Sequence, residues 1–429
     1  MPSFINVAAD SHFPIQNLPY GVFSRPDVHG PRIGVAIGNK VLDLALIEEM
    51  GSLDLPELKQ TFPFKSATLN AFMGLGQPAW RAVRARVQGL LSDDGGGALR
   101  EDQKLQEAAL IPQADVTMHL PMEIGDYTDF YASRQHATNV GTMFRGPENA
   151  LMPNWLHMPV GYHGRASSVV VSGTDVVRPM GQTRPNDDEP PVFGPSRLLD
   201  FELELGAVVG KGNALGEPIS IDNAHEHIFG FVLLNDWSAR DIQKWEYVPL
   251  GPFLGKNFAT SISPWIVPYD ALASFRVDGE AQTPDSGNPE PLPYLRQQEP
   301  RCLNLQLDVL LETEKMRELG MEAHRISQSN ARNLYWSPEQ QLAHHTVNGC
   351  NTRPGDLLGS GTISGETPDS YGSMLELTWR GSNPLAMPSG EERKFLQDGD
   401  RLVMTGYAQG DGYQVGFGEV EGKVLKAKC

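Results

Sequence analysis

Two stretches decide how the larger part of this chain folds: Phe201-Glu202-Leu203-Glu204-Leu205 and Gly230-Phe231-Val232-Leu233-Leu234-Asn235-Asp236. In the first, apolar and acidic side chains alternate, which predicts a strand with two carboxylates on one face and three apolar side chains on the other. The second is a continuous apolar run that ends in an acid. It predicts a buried strand that carries Asp236 at its C-terminal end.

The acids of these strands suggest a site for a hard cation. Alternate residues of a strand lie roughly 6.5–7 Å apart, so the carboxylates of Glu202 and Glu204 can converge on one ion. Asp236 adds a third acid, and Asp129, in the β-prone stretch 127–131, adds a fourth. Four carboxylates without Cys or His favour Ca²⁺ or Mg²⁺ over zinc or copper. The alternative is a solvated strand face, because charged residues are mostly exposed.

Short alternating segments recur through the larger part of the chain. They are residues 168–172, 201–209, 231–235, 303–311, 374–379, 401–405 and 414–420. This spacing predicts a mainly antiparallel β-sandwich or roll that carries a few helices, rather than βαβ repeats. The Pro- and Gly-rich polar segments 178–195 and 280–300 are predicted to be long surface loops.

The first part of the chain combines short predicted strands with a predicted helix. Residues 33–37 and 41–44 are predicted strands, joined by a hairpin at Gly38-Asn39. Residues 79–90 predict an amphipathic helix that begins after Pro78. A length of 429 residues is long for one core, so we expect two domains. We place the boundary near residue 118, which gives a small β-rich N-terminal domain (1–118) with helices and a larger C-terminal domain (119–429) in a β-rich α+β protein.

Composition and charge exclude several classes of partner. The chain has 35 Lys and Arg against 53 Asp and Glu, a net charge of −18, and no basic stripe, which disfavours nucleic acid and anionic membranes. No signal-peptide pattern and no apolar run near the ~20 residues of a membrane span are present, so we expect a cytoplasmic protein. Cys302, Cys350 and Cys429 form no spaced set, so no disulfide framework is expected.

A row of hydrogen-bond donors follows Asp236. Arg240, Gln243 and Tyr247 fall at i, i+3 and i+7 of a predicted helix, for which Ser238 is the predicted cap. They therefore share one face, and that face begins one turn beyond the buried acid. An ordinary exposed helix face is the alternative.

His136 is the candidate general base. It lies on a predicted helix capped by Ser133, seven residues after Asp129, and histidine is the side chain used most often for proton transfer. Glu376, on a predicted strand over 374–379, could fix its tautomer as a carboxylate does in a catalytic triad. A structural or exposed histidine is the alternative.

Other motifs are weaker. The loop Gly359–Gly365 lacks the Lys-Ser/Thr ending of a phosphate loop, and we predict instead that its N–H groups and Thr362 face a carboxylate. The pairs His225/His227 and His344/His345 have no third ligand at zinc spacing and are discounted as metal sites.

Taken together, residues 126–141, 201–204, 235–243 and 359–365 closely resemble the fumarylacetoacetase family, in register from the N-terminal domain to the C-terminus. The resemblance implies hydrolysis of the carbon–carbon bond of 4-fumarylacetoacetate to fumarate and acetoacetate, the last step of tyrosine and phenylalanine breakdown. It further implies a homodimer whose N-terminal domain is an SH3-like barrel.

The resemblance also implies roles for individual positions. Calcium ligands would be Asp129, Glu202, Glu204 and Asp236, and a second, magnesium site would comprise Asp236, Lys256 and Thr260. The base would be His136, held by Glu376; substrate contacts would be Tyr131, Arg145, Tyr162, Gln243, Tyr247 and Thr362; oxyanion donors would be Arg240, Gln243 and Lys256. Ala259 stands where a glycine is usual, which affects only a backbone contact.

Two other functions fit part of the pattern. A related-fold decarboxylase, hydratase or isomerase of a small keto acid would resemble the C-terminal part alone. A non-enzymatic calcium-binding protein would need the acids but not the donors Arg240, Gln243 and Lys256. The chemistry favours the hydrolase, because an enolised 1,3-diketone chelates a hard cation and a carbanion is otherwise a poor leaving group.

Overall fold

The computed structural model describes residues 2–95 and 97–428. The strands are β1 (Tyr20–Ser24), β2 (Arg32–Ile37), β3 (Lys40–Asp43), β4 (Leu110–Pro112), β5 (Thr117–His119), β6 (Tyr127–Phe130), β7 (Gly161–His163), β8 (Val169–Val171), β9 (Val176–Val177), β10 (Met180–Thr183), β11 (Val192–Pro195), β12 (Leu199–Asp200), β13 (Leu203–Val209), β14 (Ile228–Asp236), β15 (Ser238–Ala239), β16 (Thr260–Ile262), β17 (Val267–Pro268), β18 (Arg276–Val277), β19 (Cys302–Leu303), β20 (Gln306–Glu312), β21 (His324–Asn330), β22 (Leu357–Gly359), β23 (Leu385–Ala386), β24 (Glu392–Arg393), β25 (Arg401–Gln409) and β26 (Gln414–Leu425). The helices are α1 (Leu44–Glu49), α2 (Asn70–Met73), α3 (Gln77–Leu91), α4 (Ala98–Glu101), α5 (Gln103–Ala109), α6 (Arg134–Arg145), α7 (Arg240–Glu246), α8 (Glu314–Glu318), α9 (Pro338–Thr346) and α10 (Met374–Leu377).

The N-terminal part is built on one antiparallel sheet with the strand order β4-β3-β2-β1-β5. Strands β2 and β3 are joined at Gly38-Asn39, as the sequence predicts. Helix α3 buries Trp80 and Val83, together with Val87 and Leu90, in the same core as the sheet, which confirms the predicted apolar stripe. Because β5 pairs with β1, the sheet extends to His119, one residue past the predicted boundary.

The larger part, as far as the structure describes it, contains two further large sheets and four two-stranded ones. One has the order β7-β6-β22-β13-β14-β16-β8, with β17 also paired to β14, and the other has the order β21-β20-β25-β26-β9. Strand β14 contacts β25 and β26, so the two sheets pack over each other. Most pairs are antiparallel; β6–β22, β8–β16 and β9–β26 are parallel. The β-rich α+β class is confirmed.

The register of the first sheet brings the predicted acids together. Asp129 lies opposite Gly359 of β22, Glu204 lies opposite Leu234 of β14, and Asp236 ends β14. Every residue of β13 and β14 is buried. The Glu-Leu-Glu face is therefore enclosed by protein and is not a solvated strand face.

Glu376 does not lie on a strand: the prediction of a strand over 374–379 is wrong. Met374–Leu377 form helix α10, and the Ser373 side chain caps it by accepting from the backbone N–H of Glu376 at 3.3 Å. The apolar alternation there is short, and capping of the N–H groups that a helix start leaves free decides the conformation.

Two smaller predictions are also corrected. Ser238 does not cap α7, because it lies in β15, where its Oγ donates to Glu202, and Ala239 is the N-cap without a side-chain hydrogen bond. The segment 178–195 is not only a loop, since it contains the hairpin of β10 and β11. In the described ranges no helix is long and apolar enough to cross a bilayer. Cys302 and Cys350 are free thiols, whereas Cys429 lies outside the described residues.

A buried ion pair anchors helix α9. Glu339 is 1 % exposed, and it accepts from Tyr269 Oη at 2.6 Å and from the Arg276 guanidinium. Burial alone would raise the pKa of Glu339, but the charge of Arg276 and these hydrogen bonds hold it below its ordinary value. The carboxylate is therefore charged in the folded protein.

We expect Glu339→Gln to destabilise the protein by about 3 kcal/mol near pH 7, because the Arg276 side chain, which is 15 % exposed, loses its counter-charge. A lowered folded-state pKa means that this stabilisation is fully present above the unfolded-state pKa and is lost as the pH falls through the folded-state value. Thermal melts of the two proteins should therefore differ near pH 7 and converge in acid. A gap that stays constant with pH would contradict the assignment.

Candidate active site and metal centre

Most of the residues singled out from the sequence line one cavity of about 450 Å³. Such a volume suits a small organic ligand. The lining residues among them are Asp129, Tyr131, His136, Arg145, Tyr162, Glu202, Glu204, Arg240, Gln243, Tyr247, Lys256 and Thr362. Three further predicted residues do not line the cavity but contact residues at its edge. Asp236 bonds to Lys256, Thr260 bonds to Asp236, and Glu376 bonds to His136.

Three acids form a buried cluster. Asp129, Glu204 and Asp236 each offer an oxygen, and these oxygens lie within 4.8 Å of one another. Their exposures are 3 %, 0 % and 1 %, and Asp129 Oδ1 and Glu204 Oε1 have no hydrogen-bond partner. Burial, followed by repulsion between the acids, raises the pKa of Glu204 and of Asp236. Among the described residues, Asp129 and Glu204 have no cationic partner, and only Asp236 contacts one, Lys256.

Gly359 keeps the space between two of these acids open. A Cβ at this position would lie 2.7 Å from Asp129 Oδ1 and 3.0 Å from Glu204 Oε2, so any other residue would push the carboxylates apart. Unpartnered oxygens around an open space match the all-oxygen coordination of a hard divalent cation. The acid cluster therefore fits a metal ion.

Glu202, the fourth predicted ligand, faces donors instead. Its Oε1 accepts from Arg240 Nη2 at 2.8 Å and from Thr362 Oγ1 at 2.9 Å. Its Oε2 accepts from Ser238 Oγ at 3.0 Å and from the Lys256 ammonium. Both oxygens thus have partners already, and a role of Glu202 as a calcium ligand remains a prediction.

The residues predicted for a magnesium site lie in direct contact. Lys256 Nζ donates to Asp236 Oδ2 at 2.6 Å, and Thr260 Oγ1 donates to Asp236 Oδ1 at 3.1 Å. Tyr162 also donates to Oδ2, at 2.9 Å. Burial lowers the pKa of Lys256 to about 8. A protonated amine has no lone pair with which to bind a metal, so the Lys256 ammonium is itself the cation in contact with Asp236. The magnesium assignment remains a prediction.

His136 and Glu376 form a buried pair. His136 lies in the first turn of α6, whose N-cap is Ser133 as predicted, and its Nδ1 is 2.7 Å from Glu376 Oε2. Glu376 also accepts from Asn139 Nδ2 and Ser364 Oγ, both at 2.9 Å. Burial would raise the pKa of Glu376, but electrostatic interaction with the His136 ring and the hydrogen bonds from His136, Asn139 and Ser373 hold it below its ordinary value. An ionised Glu376 requires Nδ1 of His136 to donate, which leaves Nε2 as the basic nitrogen.

The predicted donor face is present on α7. Arg240 is the first residue of the helix and Tyr247 is its C-cap. Arg240 Nη1 donates to Gln243 Oε1 at 3.2 Å. Arg240, Gln243 and Tyr247 all line the cavity, and exposure rises along this face from the buried Arg240 to Tyr247, which is 42 % exposed.

Two further cavity residues are held by neighbours. Arg145 donates to the carbonyl oxygens of Asn149 at 3.1 Å and Ala150 at 2.7 Å. The Tyr131 ring meets the His136 ring edge-on, with centroids 5.3 Å apart. Both contacts restrict side chains that the resemblance assigns to the substrate.

The donors of the loop 359–365 meet carboxylates of the protein itself, so a contact of Thr362 with a substrate remains a prediction. The backbone N–H of Gly361 donates to Glu204 Oε2 at 3.1 Å, and the Thr362 hydroxyl donates to Glu202. The discounted histidines form no metal-binding group among the described residues; His345 instead lies 2.8 Å from Thr128 Oγ1 through Nε2.

Sequence reasoning missed the residues that support the pair and the donors. These are Asn139, Asp200, Ser364 and Ser373. Asp200, which is fully buried, accepts from Arg240 Nε at 2.8 Å. The only signal was proximity to a quoted stretch, since their partners lie up to 237 positions away along the chain, as for Asn139 and Glu376.

Comparison with known proteins agrees with the geometry. Residues 126–425 match the family described as fumarylacetoacetate (FAA) hydrolase C-terminal, and residues 16–121 match fumarylacetoacetase N-terminal. The chain is 60 % identical to the fumarylacetoacetase of Homo sapiens, over 99 % of both chains, and 54 % identical to that of Caenorhabditis elegans, over 100 % of both. A structure of fumarylacetoacetate hydrolase from the psychrophilic Exiguobacterium antarcticum is similar with a TM-score of 0.51 at 15 % identity, covering 96 % of this chain and 100 % of the other, which supports the fold alone. The chain therefore belongs to the fumarylacetoacetase family.

Proposed function

We propose that this chain hydrolyses the carbon–carbon bond of 4-fumarylacetoacetate, yielding fumarate and acetoacetate at the end of tyrosine and phenylalanine breakdown. The observation that carries the proposal is the full-length likeness to fumarylacetoacetases, at 60 % identity to the human protein. The match of residues 16–121 to the N-terminal family weighs against a related-fold isomerase or decarboxylase, which would resemble the C-terminal part alone. The enzyme class is that of hydrolases acting on carbon–carbon bonds in ketonic substances.

Asp129, Glu204 and Asp236 are the residues that would hold the cation, which we propose to be Ca²⁺. The unpartnered, buried oxygens of Asp129 and Glu204, which lie close to Asp236, support this assignment. When bound, such an ion supplies Lewis-acid polarisation of the two oxygens of the enolised diketone and stabilises the enolate charge.

His136 would act as the general base. Its Nε2 takes a proton from a water molecule whose oxygen attacks the carbonyl carbon of the fumaryl group, and Glu376 stabilises the imidazolium that forms. The carbon–carbon bond then breaks, its electron pair moves to the acetoacetate carbon, and the imidazolium returns the proton to that carbon. The hydrogen bond between His136 and Glu376 supports these roles.

Arg240, Gln243 and Lys256 would stabilise the oxyanion that develops during the attack. They line the same cavity as His136, and Arg240 and Lys256 are 6 % and 7 % exposed. Donors fixed in a buried site stabilise developing charge without reorganising. Tyr131, Arg145, Tyr162, Tyr247 and Thr362 are proposed to orient the substrate.

Two variants of the α7 donor face should affect different kinetic constants. We expect Arg240→Ala to lower kcat by about 10²–10³-fold, because an oxyanion donor acts mainly in the transition state. Tyr247→Phe should change mostly KM, since a contact of equal strength in ground and transition states affects binding alone. Steady-state kinetics with fumarylacetoacetate measure both effects. The assignment fails if both variants behave like the parent, or if both lose activity only through a lower melting temperature.

The direct test of the activity uses pure protein with Ca²⁺ or Mg²⁺. Ultraviolet absorbance of fumarylacetoacetate should disappear, with fumarate and acetoacetate formed in equal amounts. If the absorbance is unchanged, or disappears without fumarate, the proposed function is wrong.

We further propose that the protein is a cytoplasmic homodimer whose residues 1–118 form an SH3-like barrel domain. The family resemblance supports the dimer, and the five-stranded antiparallel sheet supports the barrel. Light scattering during gel filtration should give twice the chain mass of 47.1 kDa, and a monomer mass would refute the dimer.

A further inference from the structure

Asp200 lies between the two halves of the proposed catalytic machinery. It ends β12, pairs with Ser238 of β15, and is completely buried. Its Oδ2 accepts from Arg240 Nε at 2.8 Å and from the backbone N–H of Leu375 at 3.0 Å. Its Oδ1 accepts from the N–H of Met374 at 2.6 Å and of Phe201 at 2.8 Å.

The first group of Asp200 contacts involves the proposed oxyanion donors. Arg240 spreads its guanidinium over Asp200, Glu202 and Gln243. The bond from Nε to Asp200 sets the plane of the guanidinium, because the fork of donors is rigid. The orientation of Nη1 and Nη2 in the cavity therefore depends on Asp200.

The second group of Asp200 contacts involves the helix that positions the proposed base. Met374 and Leu375 open helix α10, which carries Glu376, and Glu376 holds Nδ1 of His136 at 2.7 Å. The Asp200 carboxylate is thus the cap for the first two N–H groups of this short helix, and it fixes where Glu376 is placed.

We propose that Asp200 is a positioning residue that fixes Arg240 relative to the His136–Glu376 pair, so that the base and the oxyanion donor act on the same substrate carbonyl. The inference rests on the proposed function. Four donors converge on one carboxylate, and a neutral amide has only one oxygen to accept from them. An amide at this position would leave at least one donor buried without a partner and would turn its own N–H groups toward the others.

The test is Asp200→Asn. We expect kcat to fall by about 10–100-fold with little change in KM, the effect usual for residues that orient a catalytic group. The matched control is Asp400→Asn, since Asp400 is 1 % exposed and also paired with a buried arginine, Arg393, at 2.9 Å, but this arginine, unlike Arg240, does not line the cavity. Asp400→Asn should lower the melting temperature and leave kcat unchanged.

Double-mutant cycles separate positioning from general stability. If Asp200 acts through Arg240 and Glu376, adding Asp200→Asn to Arg240→Ala or to Glu376→Gln should lower kcat by much less than in the parent. Guanidinium ion should partly restore kcat to Arg240→Ala but not to the double variant with Asp200→Asn. Multiplicative effects on kcat in both cycles, or equal rescue with and without Asp200, would overturn the proposal.

The same cycles are also measured as free energies of unfolding in denaturant. Should the parent protein lack turnover, the proposed function fails, while coupling of Asp200 to Arg240 and to Glu376 in these free energies still decides whether Asp200 links them. If Asp200→Asn is not recovered folded, Asp200→Ser, which is smaller and has no amide group, replaces it. If neither variant folds, Asp200 is a folding residue and the proposal is wrong.

Discussion

Asp236→Asn is expected to weaken Ca²⁺ binding and to reduce kcat by more than about 100-fold, since outer-sphere residues of metal sites alone cost 10–100-fold. The substitution removes one charge from three carboxylates that share a buried space. It also changes the partner of Lys256, which lies 2.6 Å from Asp236 Oδ2. Both the cation and the donor side of the site therefore depend on this one side chain.

Calorimetric titration with Ca²⁺ and the turnover assay measure the two effects. Ca²⁺ should also raise the melting temperature of the parent, because a ligand that binds only the folded state stabilises it, and this rise should be smaller in Asp236→Asn. Asp356→Asn is the matched control, as Asp356 is 4 % exposed and accepts from backbone N–H groups outside the cavity. Parent-like Ca²⁺ affinity and turnover in Asp236→Asn would show that the metal assignment is wrong.

His136→Ala is expected to lower kcat by about 10²–10⁴-fold, the usual contribution of a positioned general base. Ca²⁺ affinity should stay close to that of the parent, because His136 is not a member of the acid cluster. His136→Ala should therefore impair proton transfer without impairing Ca²⁺ binding, whereas Asp236→Asn should impair both.

The control for this variant is His345→Ala. His345 is partly buried and bonded to Thr128, but it lies outside the cavity that holds His136. It should keep the parent kcat. Full kcat in His136→Ala across the pH range would refute the base, and a His136→Ala protein that does not fold would indicate a structural histidine instead.

Local patterns predicted the elements on which the site is built. The apolar run that ends at Asp236 is the fully buried strand β14, and the Glu-Leu-Glu alternation is β13 with its flank. Ser133 caps the helix of His136. In each case the signal lies within a few residues of the structure it specifies, so periodicity and capping rules suffice.

Predictions failed where contacts between distant segments decide the structure. The segment that carries Glu376 alternates like a strand, yet Asp200 and Ser373 hold its N–H groups in a helix. Asp200 is 174 positions from Met374, so the sequence carries no local sign of this cap. Ser238 likewise donates to Glu202 rather than capping its own helix, because the Glu202 carboxylate is buried and accepts from Arg240, Lys256 and Ser238 in one network.

The central claim is that water, activated by His136, attacks the carbonyl carbon of the fumaryl group. Turnover of fumarylacetoacetate in H₂¹⁸O, followed by mass spectrometry of the products, tests this directly. The account predicts one ¹⁸O atom in the new carboxylate of fumarate and none in the carboxylate of acetoacetate. Fumarate without the label, or label in the acetoacetate carboxylate, would contradict it.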